Sequence, residues 1–425
     1  MSQTCNASEG NLGEIISRPE GFDFQPDFSI FRGNGKPLGA KTNFEPKTKS
    51  NIGASTTYYV SISIGDNSND GLSQSTPFKS IWRALKQQGS KNIIIGQGRY
   101  DYDDAWYGVR HNDDLSLISN GNGAILTNHI PVEFSKISGK IYKATKSYRI
   151  AWGNVVDLSQ PLEKRVLRKA QTPQIGLGEY YADRDDLYVS THDGRAPDGQ
   201  LLTMLAQRGK QPQASGNVYI ENVEFWGGYD GIFVRIPEED LMVLNKVTSR
   251  YSHGGVGFRF QIAGQGITYK CAAYNNGGDD FNWHSYEEKS GHCVEIDSIS
   301  RYAGNNTQLD SVNASTSHEA IKLIRINGDY RYAQNRVVSD GDETQNWNIA
   351  CIAQGSRHNK PESMWWSQNW NFGGNISSWI DTCVGSNQND TSSRGWSAES
   401  NAQVYFRNTD YTSGDTKFAI KPLDY

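Results

Sequence analysis

The residues best suited to chemistry lie between positions 250 and 322. Asp279 and Asp280 stand side by side, with Asn282 and His284 just after them. His253 and Arg259 precede this group, and Asp310, Glu319 and Lys322 follow it. Two carboxylates flanking a bond are what glycoside hydrolysis requires: one protonates the leaving oxygen and the other activates a water or attacks. Like charges as close as Asp279 and Asp280 raise one pKa, which suits a proton donor. His284 can act as a base, hydrogen-bond a sugar, or be an exposed structural residue. The same stretch also holds the parts of a β-elimination. A base removes the proton beside a uronic-acid carboxylate while cations hold that carboxylate, and His284, Arg259 and Lys322 fit those roles. The bland alternative is that Asp279-Asp280 is a polar turn entering a strand.

These residues need a frame, and a repeat supplies it. Phe225 to Ile232, Tyr251 to Phe258 and Tyr274 to Phe281 can be overlaid, each with an aromatic, a Gly/Asn turn and an apolar anchor seven positions on. Strand-like runs precede them at 218–225, 244–251 and 267–274. The spacings are 26 (225 to 251) and 23 (251 to 274). Strands recurring at such a period predict stacked coils, an all-β parallel β-helix. Coils lie about 4.8 Å apart and side chains alternate in and out. With Ile232, Phe258, Phe281 and Leu309 as anchors, the preceding positions form one outward column: Gly231, Gly257, Asp280, Gln308. Phe233, Arg259, Asn282 and Asp310 form another, and Arg235, Gln261, His284 and Val312 a third. In this register Asp280 and Asp310 are roughly 8 Å apart. A gap of roughly 6.5–9.5 Å predicts inversion and one of about 5 Å retention, so the spacing leans to inversion. Glu319, on the loop after Ser317-His318, is the alternative second carboxylate. His253 falls level with Asn276 on the preceding turn. Met364 to Phe372 concentrates aromatics, and Trp365 and Trp366 fit packing over a coil or stacking on sugar rings.

The totals suit a solenoid. Hydrophobic residues are 36%, Gly numbers 43 and aromatics reach 11%, as expected where each coil buries only a thin inner column. A net charge of −5 without a basic tract argues against a nucleic-acid partner. No apolar run reaches the roughly 20 residues of a membrane span, and the N-terminus does not read as a signal peptide. Five scattered cysteines form neither a disulfide framework nor a metal set, and Cys271 reads as a small buried strand residue. Nothing in the pattern calls for a cofactor.

In chain order, residues 1–55 read as an arm or linker. Tyr58 to Ile64 is a strand. Thr76-Pro77 then starts a helix with Phe78, Ile81, Trp82 and Leu85 on one face, suited to capping the open end of the coils. Tyr58-Tyr-Val60, Asp70-Gly71-Leu72 and Thr76-Pro77-Phe78 resemble the opening of right-handed β-helix polysaccharide enzymes of the pectate-lyase-like superfamily. The period lapses over 130–215, read as an inserted β element within the β-helix of 56–425, and the main coils run from 218 to 420. Asp66 to Gly71 mimics a calcium loop, but Pro77 stands where the twelfth-position Glu is required.

The whole pattern is most similar to a bacteriophage tailspike depolymerase. That resemblance implies cleavage of a bacterial surface polysaccharide (capsule, exopolysaccharide or O-antigen), a homotrimer, and a place on a phage tail or outside the cell. Hydrolysis is the expected reaction. The alternatives are a lyase or a glycan-binding adhesin without catalysis. The resemblance carries over no catalytic residue.

Overall fold

The computed structural model describes residues 13–33, 39–53, 56–145, 151–304, 312–357, 368–385, 394–399 and 401–409. The chain winds as a parallel β-helix. Three parallel sheets run its length, with eleven, eight and nine strands among the described residues. One coil shows the rule. Leu241–Asn245 lies in the first sheet, Thr248–Arg250 in the second and Phe258–Ile262 in the third, and Gln265–Tyr269 returns to the first.

The strand expected over 218–225 is two strands, Val218–Glu221 and Val223–Trp226, with Asn222 between them at φ 58°. The same bend recurs on successive coils at Lys246, Lys270, Asp297, Asn327, Ala350 and Thr382, all at φ between 52° and 56°. Among these residues only Asn and Asp favour this left-handed conformation, so the ladders on either side must impose it on residues such as Thr382.

The anchors Ile232, Phe258 and Phe281 pair in register, as the spacing predicts. Their side chains stack inside, with Phe258 and Phe281 centroids 5.0 Å apart and Phe260 over Trp283 at 4.1 Å. The aromatic overlay is off: Arg250, not Tyr251, pairs with Tyr274, and Ser249 pairs with Phe225. The fourth anchor is also corrected. Phe281 pairs with Ser315, not Leu309.

The described arm, residues 13–33 and 39–53, lies along the outside of the first sheet. Phe22, Phe24, Phe28, Ile30 and Phe44 are buried there against Val243, Ile267, Val294, Ile324, Trp347 and Trp379. Strands such as Leu241–Asn245 are apolar on both faces, and the arm takes the outer one out of water. Helix α1 spans Ile81–Leu85 and begins after Ser80 rather than at Thr76, because Phe78 first bridges Val60. Its Ile81, Ala84 and Leu85 are buried in the main core.

Between Ala124–Thr127 of the second sheet and Gln213–Ser215 of the third, the chain builds a five-stranded sheet and the antiparallel pair Trp152–Asp157 with Leu201–Leu205. This excursion docks on the loops that lead into the third sheet. Asn154 Nδ2 donates to the carbonyls of Tyr251 and Ser252, and Asn275 donates to that of Leu162.

Candidate functional site

The three outer faces differ in what they leave available. The first is covered by the arm. The second is polar but paired: Arg250 meets Glu224 at 2.9 Å, and Arg301 and Arg331 meet Asp329 at 2.5 and 2.6 Å. The third carries Phe233, Arg259, Asn282, Thr316 and Ser339 in one column, where all but Arg259 are buried, with the half-buried Arg235, Gln261 and His284 in the next. From Arg110 to Asn371 this face spans eight strands, about 34 Å at the spacing of adjacent strands.

At the centre of the face, two imidazoles stack. The rings of His284 and His318 lie 4.6 Å apart and 11° from parallel. His284 Nδ1 is 3.1 Å from Glu319 Oε1, and the other oxygen of Glu319 accepts from the Ser285 N–H at 2.7 Å. An Nδ1–H that donates to Glu319 leaves the lone pair of a neutral His284 on Nε2. His318 Nε2 contacts Thr316 Oγ1 at 3.1 Å, and its Nδ1 is 3.7 Å from Asp342. Burial holds the His318 pKa down, the neighbouring His284 adds to this, and Asp279, Asp342 and Glu319 oppose it. Glu319 and Asp342 sit at φ 59° and 61°, and Asp342 accepts the Glu319 N–H at 3.0 Å. Each left-handed turn thus leans its carboxylate on the coil before. Their side chains are 51% and 58% exposed. They open into a groove of about 820 Å³, also lined by Glu287, Glu288, Glu343 and Asn375.

Asp279 lies at the floor of the face, 9% exposed. Its Oδ1 accepts from Asn313 N–H (2.6 Å) and Nδ2 (3.1 Å), and its Oδ2 from Asn282 Nδ2 (2.7 Å). Burial raises its pKa, while those donors and the nearby His318 oppose the rise. Asp279 therefore holds its proton more tightly than an ordinary aspartate.

Asp280, the first-choice carboxylate, is not on the face. It is fully buried, accepting from Asn276 Nδ2 at 2.8 Å and from the Ser300 hydroxyl. Burial pushes its pKa up to about 7. The column Gly231, Gly257, Asp280 points into the coil, not out of it. A side chain at Gly231 would collide with Ser249, and one at Gly257 with Asn276. Asp310 lies outside the described residues, and the corrected register removes its place beside Asn282, which pairs with Thr316. Lys322 belongs to another face: it starts a strand of the first sheet and reaches Asp23 of the arm at 3.6 Å. His253 faces the excursion, with Nδ1 2.9 Å from Asn154 Oδ1, and burial pushes its pKa down to about 4. Arg259 remains on the face with its guanidinium 3.2 Å from the buried Asp230. Trp365 and Trp366 lie outside the described residues.

The spacing argument missed His318 as a partner of His284, Asp342 beside Glu319, and the Arg235–Phe233 pair. Ser315 as the fourth anchor would have revealed the first two, since it puts Ser317 level with Trp283 and Asp340 level with Ser317.

No family model matches the sequence, and no curated protein is similar to it in sequence. Solved structures are similar in fold. One described as a glycoside hydrolase has a TM-score of 0.50 at 10% identity, over 82% of this chain and 96% of its own. The GH136 lacto-N-biosidase of Eubacterium ramulus gives 0.45 at 11%, over 86% and 67%. Pectate lyase Pel9A gives 0.35 at 12%, over 87% and 80%. At these identities the likeness is one of chain course alone: this protein has the parallel β-helix fold.

Proposed function

We propose that this protein cleaves the glycosidic bonds of an extended polysaccharide lying along the third sheet, by hydrolysis. The carrying observation is the cluster of Asp279, His284, His318, Glu319 and Asp342 midway along a sheet face about 34 Å long. A flat ridged face suits an extended chain better than a small molecule, which prefers an enclosed pocket. Asp279 is the proton donor, because burial favours its protonated form. Glu319, half-exposed and bound to His284, is the base that activates water. The similarity of the whole sequence pattern to tailspike depolymerases makes bacterial capsules and O-antigens the first substrates to test.

A second reading is elimination at a uronic acid. Arg235 begins the column that ends in His284, and Arg259 stands in the column beside it, so cations for a carboxylate share the face with a base. Products decide. The purified chain is incubated with a panel of bacterial surface polysaccharides, and fragments are analysed by mass and ultraviolet absorbance. New reducing ends without an absorbing 4,5-unsaturated sugar support hydrolysis. An unsaturated end would replace it with the lyase. Binding without shortening of any polymer would sink both enzymatic readings and leave a glycan-binding protein.

A further inference from the structure

At one end of the same face lies a cavity of about 170 Å³ lined by Arg110, Asn112, Gln213, Ser215, Phe233, Arg235 and Tyr286. That is room for a few waters, or for a small charged group with part of the ring bearing it. Its charge is unbalanced. Among the described residues, neither Arg110 nor Arg235 has a carboxylate within ion-pair distance, whereas Arg250, Arg301 and Arg331 on the second sheet each have one. Arg235 is partly buried and locked in place. Its guanidinium carbon lies 4.5 Å from the Phe233 ring centroid, and its Nε–H donates to Gln261 Oε1 at 2.8 Å. That leaves its two terminal nitrogens for a ligand. Arg259 covers the same ring at 5.5 Å. Burial holds the Arg235 pKa down, and the cations Arg110 and Arg259 add to it, with Tyr286 opposing. Cations gathered without a counter-charge are stabilised when an anion arrives, and a fixed guanidinium fork matches a planar carboxylate.

We infer that this cavity is a subsite for the carboxylate of an acidic sugar, so that the polysaccharide is anionic. The inference rests on the proposed function in taking the ligand to be a glycan. Arg235 binds the carboxylate in two-pronged fashion, Arg110 supplies a second cation from the edge, and Phe233 supplies an apolar wall. The acidic groove at the middle of the face, with Glu287, Glu288, Glu319, Asp342 and Glu343, repels such a group. The carboxylate-bearing residue therefore binds at the arginine end.

The test uses the full chain and the polysaccharide that the panel identifies, in native form and after chemical reduction of its carboxylates to alcohols. Dextran and dextran sulfate are the neutral and sulfated references, and affinity is read by calorimetry. We expect carboxyl reduction to weaken binding roughly ten-fold or more, the effect of losing a charge-assisted pair. Arg235→Ala should weaken native binding by the same factor and bind native and reduced polymers alike, while Arg235→Lys keeps part of the difference. Arg110→Ala changes an exposed residue, so its weaker binding cannot come from misfolding. The inference is overturned if the identified polymer carries no carboxylate, if its reduced form binds equally, if Arg235→Ala still tells the two forms apart, or if dextran sulfate competes as well as the native polymer. If no polysaccharide of any charge binds, the proposed function fails, and this inference with it.

Discussion

The second and third sheets present similar side chains to the outside and use them differently. On the second, Glu224 meets Arg250 and Asp329 meets Arg301 across adjacent coils, and Arg331 meets Asp329 within its own strand. On the third, Arg235 and Arg110 have cations for neighbours, and Glu319 and Asp342 open into a groove of like charge. The interior is a third case. Arg325 is fully buried, with Nη2 2.7 Å and Nη1 3.0 Å from Asp340 and Nε 2.9 Å from Ser315 Oγ. Glu295 accepts there from Trp283 Nε1, Ser315 Oγ and the Tyr330 hydroxyl at 2.7 to 2.8 Å. Charged residues inside the coil and on the second face are saturated and hold the structure. On the third face, Arg110 and Arg235 lack a carboxylate partner among the described residues and keep capacity for something outside the protein.

Four experiments bear on that contrast, from the largest effect downward. Replacing Arg325 with Leu strands Asp340 and Glu295 in the core and should cost about 3–5 kcal/mol, the range for breaking a buried pair on one side. Denaturant unfolding measures it, and a loss under about 1 kcal/mol would mean the interior network is not the saturated counterpart described above. Next come Glu319→Gln and Asp279→Asn. Each should slow polysaccharide cleavage about 100-fold or more, with unfolding midpoints near wild type for Glu319→Gln. Unchanged rates in both would move the chemistry off the third face.

Asp280→Asn sharpens the contrast through pH. The folded carboxyl has its pKa raised from 3.8 to about 7, so the folded state holds this proton more tightly than the unfolded chain. That contribution is present in full below pH 4 and is lost as pH rises through the folded value near 7. Stability of the wild type should therefore fall relative to Asp280→Asn between those limits, and flat difference curves would refute the buried placement. The smallest effect is expected from Arg301→Ala on the second face. It should change stability by about 1 kcal/mol or less and leave cleavage unaffected. A large loss of activity there would erase the difference between the faces.

The sequence revealed the coil because the apolar anchors Ile232, Phe258 and Phe281 recur at nearly constant spacing. It failed one coil later for a physical reason. From Phe281 to Ser315 is 34 residues (315 less 281), and the core turns polar there, so the anchor is a serine bonded to Glu295 and Arg325. A reading that seeks a hydrophobic anchor passes over Ser315 and stops at Leu309. The same logic misplaced Asp280. Strict alternation points it outward, but it precedes its strand, in a turn where alternation no longer applies.

The sequence by itself therefore determined the solenoid. Strand periodicity and turn residues are local properties and survive in one dimension. Only the tertiary structure decided which acid faces out, that His318 stacks on His284, that Lys322 serves the arm, and that Arg110 joins Arg235 from over 100 positions away. Those facts depend on loop lengths between coils, because each added residue resets which side chains meet across the next 4.8 Å or so.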